Sequence, residues 1–371
     1  MKAVTIVLAL FLLIGSSMVM TGNLGQLPNN MKPQTQFSPI EKFELSQTIL
    51  SSTFLGGDGT ESSWVILLDG DDNIIVVGST SSDDFPMVNA LDSTHNGDRD
   101  CFITKFSSDA TEILYSTYIG GSGRDIPYDC ILGTDGSFYV IGRTESTDFP
   151  VVNAYNSSHN GDVDCFLFKL SPSGDALVFS TYFGGTDFDV PSCIQLDSSG
   201  NVYISGYTDS ATFPVINAYD ASIGGDNDNF LLKFNSAGND LIYSTFIGGS
   251  GTENLLTSIA IHDNYIYMSG GTSSSDFPIT SVCLMPTYRG IEDAYVLRMP
   301  LSESSLNYST YYGGSLEESA DFISIDSSGY VVIAGDTLSE NLPMLSSYDS
   351  SKNSFTDLFV VKINISASSS N

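Results

Sequence analysis

The chain is 371 residues long and carries 13 Lys plus Arg against 44 Asp plus Glu, a formal net charge of −31. A field of that sign repels phosphate backbones and anionic lipid surfaces, which sets nucleic acid aside as a partner and leaves solvation and cation attraction as what the charge provides. The 34 Gly, 22 Phe and 19 Tyr, with apolar residues in short runs and not in helical stripes, point to β-structure.

At the N-terminus, Met1 and Lys2 precede an apolar run over residues 3–15, then Ser16, Ser17 and a second apolar stretch ending at Met20. This is the layout of a secretory signal peptide over residues 1–20; uncleaved, it would be an anchor and the chain's one contact with a membrane. The expected location is therefore secreted or cell-surface. Residues 21–40, rich in Asn, Gln, Pro and Gly without periodicity, read as a flexible spacer. A single repeat domain is expected over 41–367, with a polar tail at 368–371.

Within that domain one motif recurs, as Tyr115-Ser116-Thr117-Tyr118-Ile119-Gly120-Gly121 and near copies at 51–57, 179–185, 243–249 and 308–314. The first glycines are Gly56, Gly120, Gly184, Gly248 and Gly313, a period of 64 residues with a single one-residue slip. Five such units imply one closed repeat domain. In the third unit, the β-branched and aromatic runs 190–196 and 201–206 flank a Ser198-Ser199-Gly200 turn and read as a hairpin. Strands at 228–234 and 241–247 follow, so each unit is a four-stranded antiparallel meander.

The strands are apolar on both faces, as sheets packed between like neighbours require. Gly78, Gly142, Gly206, Gly270 and Gly335 recur in the second strand, and Asp100, Asp164, Asp228, Asp293 and Asp357 open the third. The chain starts with a lone fourth strand near 48–55 and ends with a lone third strand at 357–363, so joining these ends would complete a fifth blade and remove the free edges. The fold expected is all-β: a five-bladed β-propeller of four-stranded antiparallel blades, closed by strand sharing between the N- and C-terminal segments.

Asp228, Phe230 and Lys233, then Gly238, the Tyr243–Gly249 motif, Asp197, Gly200, Asn201, Val202, Tyr203 and Gly206, and finally Phe213-Pro214, form a joint pattern that resembles the SBBP-type β-propeller repeat family. The resemblance spans all five units, roughly residues 48–366. It implies an extracytoplasmic or surface-associated propeller without an assigned activity in most members. The family's name refers to seven blades, whereas five periods are present here.

Few catalytic signatures survive inspection. Gly120-Gly121-Ser122-Gly123 follows a strand but opens no helix and lacks the Walker lysine. Asp69-Gly70-Asp71-Asp72-Asn73 has Ile74 and Thr80 where a calcium loop needs Gly and Glu, so it reads as a hairpin turn. His95, His159 and His262 are too few for a metal or serine triad. Cys101 and Cys165 occupy equivalent positions and read as small buried residues more than as a disulfide framework.

The carboxylates are the clearer signal. Glu61, Asp125, Asp189, Glu253 and Glu318 stand five residues beyond each first glycine, entering the innermost strand, and are expected to ring the mouth of a central channel on the loop-rich face. No cofactor is called for if each acid hydrogen-bonds the neighbouring glycine-rich turn; the alternative is a ring that answers to a divalent cation, calcium being the ion considered. Three residues further on, the units carry Trp64, Tyr128, Ser192, Leu256 and Asp321, so symmetry breaks there; Trp64, with Tyr128 as its counterpart, either fills the channel wall or offers a ligand a stacking face.

A symmetric ring suits binding better than acid–base chemistry, which needs non-equivalent groups. The first functional expectation is thus a non-catalytic binding, adhesion or scaffold module that meets a protein or glycan at the cell surface. The alternatives are a carbohydrate-active, glycosidase-like enzyme using channel carboxylates, and a surface-layer spacer.

Overall fold

A computed structural model describes residues 49–302 and 305–365. The expected leader, the spacer and the tail lie outside the described residues. The described chain is all-β. The first blade comprises β1 (Glu61–Leu68), β2 (Ile74–Thr80), β3 (Asp100–Phe106) and β4 (Ile113–Ile119); the second β5 (Asp125–Leu132), β6 (Phe138–Thr144), β7 (Asp164–Leu170) and β8 (Leu177–Phe183). The third comprises β9 (Asp189–Leu196), β10 (Val202–Thr208), β11 (Asp228–Phe234) and β12 (Leu241–Ile247); the fourth β13 (Ser258–His262), β14 (Tyr265–Thr272), β15 (Asp293–Pro300) and β16 (Tyr308–Tyr312). The fifth has three strands, β17 (Glu318–Ile325), β18 (Val331–Thr337) and β19 (Asp357–Ile363). Every sheet is an antiparallel meander in chain order, and the first strands of successive blades pack on one another, which gives a propeller-like arrangement.

Local chemistry explains the repeat. In the first hairpin, Asp71 N and Asn73 N donate to Asp69 Oδ1 at 2.9 Å each, and Lys105 Nζ of β3 lies 2.7 Å from Asp69 Oδ2. The Asp-rich segment is thus a turn tied to its own blade, and Lys169 with Asp135 at 2.8 Å repeats the tie. Gly200 has φ +78°, a conformation other residues reach only with strain. A side chain at Gly142 would sit 2.2 Å from Ile126 O and 2.3 Å from the Phe166 ring, so the second-strand glycine makes room for the aromatic of the third strand. The five cysteines are all unpaired, and Cys101, Cys130 and Cys165 are buried.

The expected closure is not formed. Residues 49–56 pair with no strand, Phe54 is fully exposed, and Leu55 packs partly against Phe85, Phe102 and Tyr118 of the first blade. That contact keeps the segment on the first blade and leaves the outer edge of β19 bare. Val360 is 73% exposed, although its equivalents Ile103, Leu167, Leu231 and Val296 are fully buried. On the opposite end face Ile66 is 57% exposed, although Cys130 and Ile194 at the same position are buried. The two end faces therefore expose the residues that every internal blade interface covers.

Candidate functional site

The five ring acids lie deeper than the channel mouth. Asp125 Oδ2 accepts Gly121 N at 2.7 Å and Ser146 Oγ at 2.8 Å; Asp189 Oδ2 accepts Gly185 N at 2.6 Å and Ser210 Oγ at 3.0 Å. Glu253 Oε1 accepts Thr272 Oγ1 at 2.8 Å and Ser274 Oγ at 2.6 Å. Glu318 accepts Gly314 N at 2.6 Å and Thr337 Oγ1 at 2.7 Å, and Glu61 accepts Thr80 Oγ1 at 2.8 Å together with Ser82 Oγ. The last four from Asp125 onward are buried and fasten the Gly-Gly connector to the end of their own second strand, whereas Glu61 binds only the second-strand end. Burial raises the Asp125 carboxyl, lifts Asp189 to about 6, and lifts Glu253 to about 8 with Asp228 adding repulsion. Among the described residues no three His, Cys, Asp or Glu side chains converge on a metal-sized site.

The position three residues beyond each acid behaves differently. The register slips between Ser63 and Val65, Pro127 and Asp129, Ser205 and Gly206 opposite β9, and Ser319 and Phe322, so the innermost strand bulges in four blades. A bulge re-aims its extra residue, and the extra residues here are Trp64, Tyr128, Ser192 and, with Ala320, Asp321. The structure brings Trp64 and Tyr128 together, ring centroids 5.2 Å apart at 32°. Trp64 remains 43% exposed, so an aromatic face is open to solvent on the innermost strands.

Asp321 is buried, and its Oδ1 accepts Ser319 Oγ at 2.6 Å. Asn254 Nδ2 donates to Ser319 Oγ at 3.2 Å and to Glu292 Oε1 at 3.0 Å. Glu292, Asn254, Ser319 and Asp321 thus form one polar chain between the fourth and fifth blades. Burial, reinforced by Asp336, lifts Asp321 to about 6; burial, reinforced by Glu317, Asp321 and Glu318, raises Glu292. Gly271 makes this possible, because a Cβ there would stand 2.1 Å from Glu292 Oε1.

In the sequence Asp321 stands out only as a counterpart of Trp64, and Glu292, Asn254 and Ser319 belong to no recurring motif. The signal was present: Glu292 stands where the other units have Arg99, Val163, Asn227 and Thr356, and Gly271 where they have Ser79, Arg143, Tyr207 and Asp336. Two shallow cavities, of about 340 and 500 Å³, lie elsewhere, against Tyr155, Phe183 and Pro214 and against Val178, Phe179 and Ser236. Neither touches the polar chain, whose arrangement of two unlike carboxyls carries more chemistry than either volume.

Residues 178–214 match the model of the SBBP beta-propeller repeat. No curated protein matches the chain. Among solved structures, it is similar to a protein of unknown function from Dyadobacter fermentans, 9% identical with a TM-score of 0.45 over 78% of this chain and 79% of that one. It is also similar to a PL25 polysaccharide lyase, an ulvan lyase bound to a GlcA–Rha3S saccharide, 9% identical with a TM-score of 0.45 over 84% and 72%. A thermostable family-43 glycoside hydrolase is 12% identical with a TM-score of 0.36 over 76% and 87%. The neighbours with a named function are carbohydrate-active enzymes, in contrast to the expected non-catalytic binding, adhesion or scaffold module, which is not retained.

Proposed function

We propose that the protein is a carbohydrate-active enzyme that cleaves a glycosidic bond with the unlike carboxyls of Asp321 and Glu292, on sugar stacked against Trp64 and Tyr128. The observation that carries this reading is the hydrogen-bonded chain Glu292–Asn254–Ser319–Asp321. Glycoside cleavage needs one carboxyl that holds a proton near neutral pH and a second that supports the developing positive charge or activates water. Asp321, lifted to about 6, is suited to protonate the leaving oxygen. Glu292, held by Asn254, is suited to the second role. Tryptophan and tyrosine faces pack well on the apolar side of a pyranose.

Two further features belong to this reading. Residues 1–20 export the enzyme to polymeric substrate outside the cell. Residues 51–55, copies of the buried fourth strands, would on docking against β19 close a five-bladed ring and cover Leu358 and Val360 as their equivalents are covered elsewhere. The test is hydrolysis and elimination, followed by reducing-end and unsaturated-uronate assays, across a panel of neutral and acidic polysaccharides. Wild type should release product, and Asp321→Asn with unchanged circular dichroism should lose roughly 10²-fold or more. A panel without product, or an undiminished variant, would refute the assignment.

A further inference from the structure

Among the described residues five cations lie over aromatic rings: Lys169 over Tyr139, Lys233 over Tyr203, Arg298 over Tyr265, Lys362 over Tyr330 and Arg143 over Phe188. Four of them also meet an oxygen. Lys169, Lys233 and Lys362 pair with Asp135, Asp197 and Asp326, and Arg298 donates to Asn307 Oδ1. Arg143 has no such partner among the described residues. Its Nε is buried without an acceptor, and neither a carboxylate nor a carbonyl takes the rest of its guanidinium.

Packing holds this side chain in place. Arg143 Cζ stands 5.8 Å from the Phe188 centroid, and Tyr207 closes edge-on against the same ring at 6.4 Å. A ring face attracts the charge but gives the planar fork of N–H donors no oxygen. Burial raises the Tyr128 hydroxyl and the charge on Arg143 opposes the rise, so the guanidinium lies within electrostatic reach of the aromatic platform. Arg99, one interface earlier, also lacks a carboxylate: its Nη1 reaches the hydroxyls of Ser62 at 3.3 Å and Ser79 at 3.2 Å, and its Nη2 the Thr60 carbonyl at 3.5 Å. In the fourth blade the columns of Arg99 and Arg143 hold Glu292 and Gly271. The same layer of the repeat is thus cationic beside the platform and acidic at the proposed cleavage site.

We propose that Arg143, supported by Arg99, makes the Trp64–Tyr128 platform selective for an anionic sugar, whose carboxylate or sulfate takes the open donors of the guanidinium. The proposal rests on the reading of that platform as a sugar site and names the class of sugar it takes. A neutral pyranose offers the fork only hydroxyl oxygens, whereas a planar carboxylate or a sulfate accepts two parallel charge-assisted bonds from it. A chain of charge −31 repels anions as a whole, so a preference for the anionic form has to come from cations at the site.

The experiment uses the full chain and reads the fluorescence of Trp64, its single tryptophan, in about 0.15 M sodium chloride. The ligands are oligomers of galacturonate, glucuronate and mannuronate with their carboxyl-reduced counterparts, and sulfated galactan oligomers with their desulfated counterparts. One anionic series should bind roughly tenfold or more tightly than its neutral counterpart, and which series does so tells carboxylate from sulfate. Arg143→Gln, with unchanged circular dichroism, should bring the two forms within roughly twofold; Arg143→Lys, which keeps the charge without the fork, should cut the preference in part and carries the test if Arg143→Gln folds poorly. Equal or weaker binding of every anionic form, no binding at all, or a preference that both substitutions leave intact would overturn the proposal. A preference that Arg143→Gln removes, in a wild type that cleaves none of the oligomers, would refute the cleavage reading and leave the selectivity standing.

Discussion

Replacing Phe54 by Ala asks whether the ring closes. In the other four units the equivalent residues, Tyr118, Tyr182, Phe246 and Tyr311, are buried, and they sit opposite Phe102, Phe166, Phe230 and Tyr295 in the third-to-fourth strand register. Carried to the fifth blade, that register sets Phe54 opposite Phe359, Thr53 opposite Val360 and Leu55 opposite Leu358. A buried Phe truncated to Ala costs about 3–5 kcal/mol, whereas a substitution at an exposed site usually changes stability by less than about 0.5 kcal/mol. Closed and open rings thus differ severalfold in the effect of one substitution. Equilibrium urea unfolding of wild type, Phe54→Ala and Phe246→Ala measures it, with Phe246→Ala as the internal standard. Closure predicts similar losses for the two variants at constant denaturant slope. A loss below about 0.5 kcal/mol for Phe54→Ala beside several kcal/mol for Phe246→Ala would refute strand sharing. The measurement is repeated over a range of protein concentrations, because a strand donated by a second copy would make the loss concentration-dependent.

The rate of glycan cleavage should fall as pH rises through about 6, where Asp321 gives up its proton, and Asp321→Asn should abolish that limb; a profile flat from pH 5 to 8 counts against the acid. Gly271→Ala, which drives a methyl against Glu292, should lower kcat roughly 10²-fold with little change in stability, and an unchanged kcat would remove Glu292 from the mechanism. Stability should decline as pH rises. Asp189, Asp293 and Asp321, lifted to about 6, and Glu253, lifted to about 8, keep protons that the unfolded chain has released, so the folded state binds more protons between about pH 4 and 8. A Tm that rises over that window would contradict the buried-acid account.

The repeat made the fold legible. Reading the third unit set strands at 190–196, 201–206, 228–234 and 241–247, and the structure has Asp189–Leu196, Val202–Thr208, Asp228–Phe234 and Leu241–Ile247. Five aligned copies average away the local ambiguity that one strand pattern leaves. What the acids face was not legible. An acid that opens an inner strand can point to the mouth or into the blade, and the choice here is made by hydroxyl partners some twenty residues away, Thr144 and Ser146 for Asp125 and Thr272 and Ser274 for Glu253. Trp64 and Tyr128 stand out in the sequence as one column of adjacent units, and the 5.2 Å contact between their rings comes from the packing of β1 on β5. Glu292 lies in an irregular connection where no strand period constrains it.

The same comparison of columns separates what the repeat needs from what one blade does. The ring acids and the Gly-Gly connectors, present in every unit, and the lysine–aspartate ties, present in four, have partners within the repeat and hold it together. Chemistry that must tell proton donor from acceptor has to come from a column that has lost its symmetry. The chain's single slip in period shows where that happened: Pro278 to Asp293 is one residue longer than Pro214 to Asp228, and the lengthened connection is the one that carries Glu292. At the same interface Glu292 and Asp321 are linked through Asn254 and Ser319, a chain that the other interfaces lack the residues to form. Burial then holds both carboxyls protonatable at higher pH than an exposed acid, which a general acid requires.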